Sequence, residues 1–258
     1  DGVKLPDALR DAGLENVPHE ALDVSRYRGF LEAHIEQGPH LEAAGNRVGV
    51  VDSIVGLGGR HFRFIGQQNH AGTTMMSIRK DAATALFALA QGINDAFAGI
   101  AGPRSVWTMG RVEVRPGAAS IVPGYAELEL QYRDPSMTML DAFEAEVDRL
   151  VNEIRSRDQA MVEMSPSRER VVPVTMDATL RVHLASAAQN HTPGQWVEMP
   201  SGAYHDAGVM AALLPTAMLF IPSIGGVSHD FSENSHDEDI VIGCQVLADA
   251  TAAMLLDN

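Results

Sequence analysis

The sequence predicts an α/β protein in which a β-α-β-β-α-β unit, spanning about residues 58–172, is inserted into an outer α/β layer built from 1–57 and 173–258. Three observations carry this. Residues 125–133 alternate cleanly, with Ala126, Leu128, Leu130 and Tyr132 on one side and Glu127, Glu129, Gln131 and Arg133 on the other. The stretch that follows places Leu140, Phe143, Val147, Leu150, Val151 and Ile154 on one helical stripe. Both flanks mix short apolar runs with helical stretches, the pattern of a partly parallel sheet.

Element by element, residues 29–37 and 48–55 are short apolar strand segments. Residues 60–66 alternate, with Phe62 and Phe64 on one face. Residues 77–98 are rich in Ala and Leu and read as a helix. Residues 104–115 alternate again, with Val106, Thr108, Val112 and Val114 on one side. Pro123-Gly124 marks a turn before the strand 125–133. Asp134-Pro135-Ser136 opens a helix with capping chemistry, and 160–166 is a further strand. Helices are expected at 177–190, 205–213 and 239–256, and Thr216–Ile221 is a buried-strand run.

Composition narrows the function classes. The chain has 258 residues, with 19 Lys plus Arg against 34 Asp plus Glu, a formal charge of −15. It carries no basic stripe, so nucleic acid is excluded as a partner. Cys244 is the only cysteine and rules out an intrachain disulfide. That fits a reducing, cytoplasmic compartment, and the apolar surroundings of Cys244 make it a small core residue. No unbroken apolar run reaches the ~18 residues of a bilayer span, so no membrane partner is expected. The first residues show no signal-peptide pattern, and the chain does not open with Met. His-Glu-x-x-His, Cys-x-x-Cys, Gly-x-Ser-x-Gly and phosphate-binding glycine loops are all lacking.

Four of the ten histidines sit in suggestive loops or strand ends. His34 precedes Ile-Glu-Gln-Gly-Pro, and His229 closes Gly-Gly-Val-Ser-His. His70 lies in Asn-His-Ala-Gly-Thr-Thr, and His205 in Ser-Gly-Ala-Tyr-His-Asp. Neutral imidazole is the commonest metal ligand. A lone histidine is nonetheless more often a surface or satisfied core group, and two of them do not complete a metal site. Arg133 either clamps a carboxylate or pairs with Glu127 or Glu129 on its own face.

With these motifs in order, the chain resembles the hydantoinase/carbamoylase branch of the aminoacylase-like, zinc-dependent amidohydrolases. That branch holds N-carbamoyl-L-amino-acid hydrolases, β-ureidopropionases and allantoate amidohydrolases. The resemblance runs through His34-Ile-Glu-Gln-Gly-Pro39, Asn69-His-Ala-Gly-Thr-Thr74 with Arg79 and Asp81-Ala82, Gly110-Arg-Val112, Pro123-Gly124 with Arg133, Pro200-Ser-Gly-Ala203 with His205-Asp206-Ala207, and Gly225-Gly-Val-Ser-His229 with Glu233.

It implies a catalytic α/β domain interrupted by a ferredoxin-like lid that forms a homodimer. It implies two bridged divalent metals, zinc or alternatively Mn, Co or Ni, and a small ureido-acid substrate whose carbamoyl C–N bond is cleaved. By the same resemblance His34 and His229 are metal ligands, one to each metal. His70 polarises the scissile carbonyl of the partner subunit's substrate. His205 and Gln37 line the substrate site, Arg133 holds the substrate carboxylate, and Ser120 stands where an Asn usually binds substrate. Two further departures are Tyr204 in place of a usual Gly, which would narrow the pocket, and Met75 where Pro is common.

The resemblance covers the C-terminal part of the family. Its upstream His-x-Asp motif, bridging Asp and Glu pair have no counterpart here, the first acidic-His cluster being His19-Glu20 in a loop-like stretch. Two other readings are a dipeptidase or N-acyl-amino-acid deacylase of the wider superfamily, and a non-catalytic fragment that dimerises through the lid.

Overall fold

Every strand expected from alternation forms, and side-chain N-caps open three of the α-helices among the described residues. The structure, a computed structural model, describes residues 2–18, 21–157, 160–167 and 169–257. The elements are α1 (Leu5–Asp11), β1 (Phe30–Ile35), α2 (His40–Ala44), β2 (Val48–Ile54), β3 (Gly56–Ile65), β4 (Asn69–His70), α3 (Ala82–Ile100), β5 (Val106–Arg115) and β6 (Ile121–Val122). They continue as β7 (Tyr125–Asp134), α4 (Met137–Ser156), β8 (Met161–Pro166), β9 (Val174–Thr175), α5 (Ala178–His191), β10 (Trp196–Ser201), α6 (Asp206–Met210), β11 (Thr216–Ile221) and α7 (Asp237–Leu256).

Strands β5-β7-β3-β8 form a four-stranded antiparallel sheet. The alternation of β7 is realised fully: Ala126, Leu128, Leu130 and Tyr132 are all buried. They meet α3 and α4 in one apolar cluster, where the Phe97 and Phe143 rings stack at 4.1 Å. Asp81 caps α3 by accepting the N–H groups of Ala83 and Thr84, and Ser136 caps α4 through Met139 N–H. Gly58 lies under Tyr132, where a Cβ would come 2.3 Å from the ring. A short ladder of β4 with β6 stands apart from this sheet.

The other sheet has the order β1-β11-β2-β10, with β9 pairing the end of β2. β1 runs parallel to β11, and β10 parallel to β2. Its cluster joins Val50, Val51, Ile54, Leu219 and Phe220 to Leu180 and Leu184 of α5 and to Val246 and Ala250 of α7. Arg28, two residues before β1, donates from Nη1 to the carbonyls of Met254, Leu255 and Asp257 at 3.2, 3.2 and 2.8 Å, closing the last turn of α7.

Several expectations need correction. A bulge between Thr108 and Arg111 shifts the phase of β5. Trp107, Met109 and Val114 therefore pack on the core, while Val106, Thr108 and Val112 are exposed. The helix expected from residue 77 begins at Ala82, after a 3-10 turn at Met76–Ile78. The helix expected over 205–213 is only Asp206–Met210. Cys244 is exposed on α7 rather than in the core. By length and composition α7 is apolar enough to cross a membrane, the one such helix among the described residues. Asp249 and Gln245 break its apolar run, and its Val246 and Ala250 are fully buried. His19 and Glu20 lie outside the described residues.

Candidate active site

The site starts from strand parity. Glu32 and His34 are two residues apart on β1, so their side chains leave the same face. His34 Nδ1 lies 2.8 Å from the Ile35 carbonyl, a contact that requires its proton there and leaves Nε2 as the lone-pair nitrogen. Glu32 Oε2 accepts the Ala207 N–H at 2.7 Å.

His205 sits just before α6, in edge contact with His34 at a ring separation of 4.7 Å. The Ser201 hydroxyl donates to the Ala203 carbonyl at 2.9 Å. Its 2.9 Å contact with His205 Nε2 must then be donated by the ring. That leaves the Nδ1 lone pair of His205 4.0 Å from Glu32 Oε1. Burial, then the neighbouring His34 ring, push the His205 pKa down to about 4, so the His205 ring is neutral near pH 7. Glu32, His34 and His205 thus place one donor atom each within 4.8 Å of one another. An oxygen and two neutral imidazole nitrogens are the donor chemistry of a divalent transition metal.

Beside this trio lies a cavity of about 510 Å³ whose wall includes Gln37, Arg104, Arg133, Gly202, Phe220 and His229. The His205 ring is 5.4 Å from that of Phe220. Gln37 and His229 have φ of 57° and 59°, the two non-glycine residues with positive φ among those described. Such backbone is strained and persists where its surroundings hold it. Ser223 Oγ accepts the Gln37 N–H, and Glu233 Oε2 the His229 N–H, both at 3.0 Å. The Ser228 hydroxyl, then the His229 N–H, hold the Glu233 carboxyl below the usual range, and the His229 and His34 rings add to this. Gly226, with φ of 67°, lets the loop of His229 touch the loop of Gln37: a Cβ there would lie 2.8 Å from Pro39 N. Glu36 is buried and caps α2 by accepting the N–H groups of His40 and Leu41 at 2.9 and 2.8 Å.

Arg133 projects from the end of β7. Its Nη1 donates to the Gly202 carbonyl at 2.9 Å, and its Nε and Nη2 to Gln131 Oε1 at 3.3 and 3.0 Å. These contacts set the guanidinium plane at the cavity wall.

His70 and Ser120 are placed elsewhere. Both are exposed on the segments of the β4–β6 ladder and neither lines the cavity. Ser120 accepts the Ala71 N–H through its carbonyl at 2.9 Å. His70 Nδ1 accepts the N–H groups of Gly72 and Thr73 at 3.0 and 3.2 Å. The neutral ring therefore carries its proton on Nε2, which can donate. Arg79 ties the loop by donating to the carbonyls of Thr74 and Ala71. Tyr204 does not narrow the cavity; it is half-exposed and lies over Gly208, whose added Cβ would come 3.0 Å from the ring. Sequence reasoning passed over Glu32, although the Glu-x-His spacing on a strand is a readable signal. It also passed over Arg104, which sits in a loop with no periodicity to read.

This architecture, with imidazoles and a carboxylate converging at strand ends beside a cavity lined by two arginines, is that of an α/β protein with a group of side chains that could hold a metal ion. Residues 11–253 match the model of Peptidase family M20/M25/M40, and the chain belongs to that family. A crystal structure of a hydantoinase/carbamoylase family amidase from Burkholderia phymatum superposes with a TM-score of 0.87 at 47% identity, covering 98% of this chain and 61% of that one. The N-carbamoyl-L-amino acid amidohydrolase of Geobacillus stearothermophilus is 32% identical over 96% of this chain and 60% of its own length. The allantoate amidohydrolase of Escherichia coli K12 is 33% identical over 96% of this chain and 59% of its own. The chain spans about 60% of the length of the curated relatives it matches.

Proposed function

We propose that this chain is the larger part of a metal-dependent amidohydrolase that cleaves the carbamoyl C–N bond of N-carbamoyl amino acids or related ureido acids. The observation that carries this is convergence. Gln37, Arg133 and His229, from three distant stretches, line one cavity, while His34 and His205 stand in contact beside it. The named activities of the relatives, on N-carbamoyl amino acids and allantoate, agree with it.

In this reading His34 and His229 hold one divalent metal each, zinc or alternatively Mn, Co or Ni, with Glu32 and His205 adjoining the His34 position. Such metals supply Lewis acidity and water activated at neutral pH. Arg133 binds the substrate carboxylate through its planar fork and so orients the ureido group. Gln37 and Ser120 hydrogen-bond substrate. His205, neutral and fixed by Ser201, lines the reacting end. His70 donates from Nε2 to the carbonyl oxygen, where negative charge develops.

Because His70 and Ser120 lie off the cavity, they act in the site of a second subunit. The unit of about 58–172 is accordingly an inserted, ferredoxin-like lid through which a cytoplasmic homodimer forms, and 1–57 with 173–258 belong to the catalytic domain. The remaining metal ligands and the general base come from the part of the relatives that this chain does not cover. The test is release of ammonia from N-carbamoyl amino acids and allantoate by the complete protein. Activity should vanish on chelation, return with Zn, Mn, Co or Ni, and be absent in His34→Ala. Inactivity on every ureido and N-acyl substrate with all four metals would refute the reading.

A further inference from the structure

The ionisable groups on the cavity wall are Glu36, His40, Arg104, Arg133 and His229. Glu36, the one carboxylate among them, is already engaged by the N–H groups that open α2. Two arginines therefore line a common space in a chain whose formal charge is −15. Arg133 meets the carboxylate that every ureido acid carries. Arg104 is left over by that chemistry. It stands in the loop between α3 and β5, on the wall of the same cavity, and is exposed, with no hydrogen bond or ion pair among the described residues. Val106, Met199 and Phe220 supply apolar wall to the same space. Both arginines belong to the wall of one cavity of about 510 Å³, a volume in the range of small-molecule sites.

We infer that the preferred substrate is a ureido dicarboxylate, an N-carbamoyl derivative of an acidic amino acid, with Arg133 on its α-carboxylate and Arg104 on its side-chain carboxylate. This rests on the proposed amidohydrolase reading and specifies its substrate class. A guanidinium discriminates carboxylate from the isosteric amide through charge-assisted hydrogen bonds that the neutral amide makes less strongly.

The test compares N-carbamoylglutamate with N-carbamoylglutamine, alike in shape and different in charge. Both are measured by calorimetric binding to this chain and by kcat/KM with the complete protein. The expected preference for the dicarboxylate is about tenfold, modest because Arg104 is solvent-facing. It should shrink at high salt. Arg104→Gln should bring the two ligands towards parity, with the dicarboxylate losing more than N-carbamoylglutamine. Equal handling of the two by the unaltered protein would overturn the inference and leave the amidohydrolase reading standing. So would a preference that survives Arg104→Gln undiminished. N-acetylglutamate separates the readings in the other direction. Its Arg104-dependent binding, with no ureido compound hydrolysed, would keep the two-cation site and defeat the hydrolytic reading. Binding of none of the three ligands would overturn the inference.

Discussion

The two places where candidate catalytic side chains gather are built in opposite ways. Around the cavity, Gln37 is held by Ser223, Glu32 by Ala207 and Arg133 in part by Gly202, all residues far away in sequence. The His70 loop is held largely by its own neighbours, Gly72, Thr73, Thr74 and Arg79, with the Ala71 N–H also bonded to the Ser120 carbonyl. The first is a socket shaped by tertiary structure. The second is a prefolded, exposed projection whose imidazole donor is set locally. The proposed division of one site between two copies of the chain rests on this contrast between socket and projection.

The largest expected effect tests that division. In the complete protein, His70→Ala should lower kcat by roughly 10² or more with little change in KM, because a donor to the developing oxyanion is lost. Mixing His70→Ala with His34→Ala subunits should recover activity, since half of the dimers would be mixed and each mixed dimer would hold one intact site. No recovery would put both residues to work in the same chain. Next comes the socket itself. Arg133→Gln should raise KM by about tenfold to a hundredfold, as removal of a charge-assisted clamp implies. An unchanged KM would show that Gln131 and Gly202, rather than substrate, are the reason for this arginine.

The smallest effect concerns stability. The folded pKa of His205 is about 4, below the unfolded value near 6.5. The unfolded chain therefore takes up this proton first as pH falls. His205 contributes nothing to pH dependence above about 6.5 and destabilises progressively between 6.5 and 4. Urea unfolding should show a shallower loss over that window in His205→Gln than in the unaltered chain. Parallel curves would mean the imidazole is less desolvated than its packing against His34 and Phe220 implies.

Much of the four-stranded half was legible because its signals are local. β7 alternates without interruption, and α4 follows a capping serine with a regular stripe. β5 was misphased because a bulge is not encoded in the parity of its apolar residues. β10 went unread because Pro200 and Glu198 disguise a strand whose pairing with β2 is set by the sheet. α2, of five residues, is too short to show a period. Most candidate site residues were legible where they sit in motifs. His34, Gln37, His205 and His229 do. Glu32 was readable from strand parity but carries no motif of its own, and Arg104 reaches the cavity only through the folded course of its loop.

The contact of Arg28 with the carbonyls ending α7 links two parts of the chain more than 220 positions apart. It lies directly upstream of the strand that carries Glu32 and His34. Fraying of that helix end and loosening of the lead-in to the ligand strand are thereby one event, so amide hydrogens in both places should exchange with deuterium at matched rates. Disturbance at that helix end would then reach the strand of Glu32 and His34 without any contact between them.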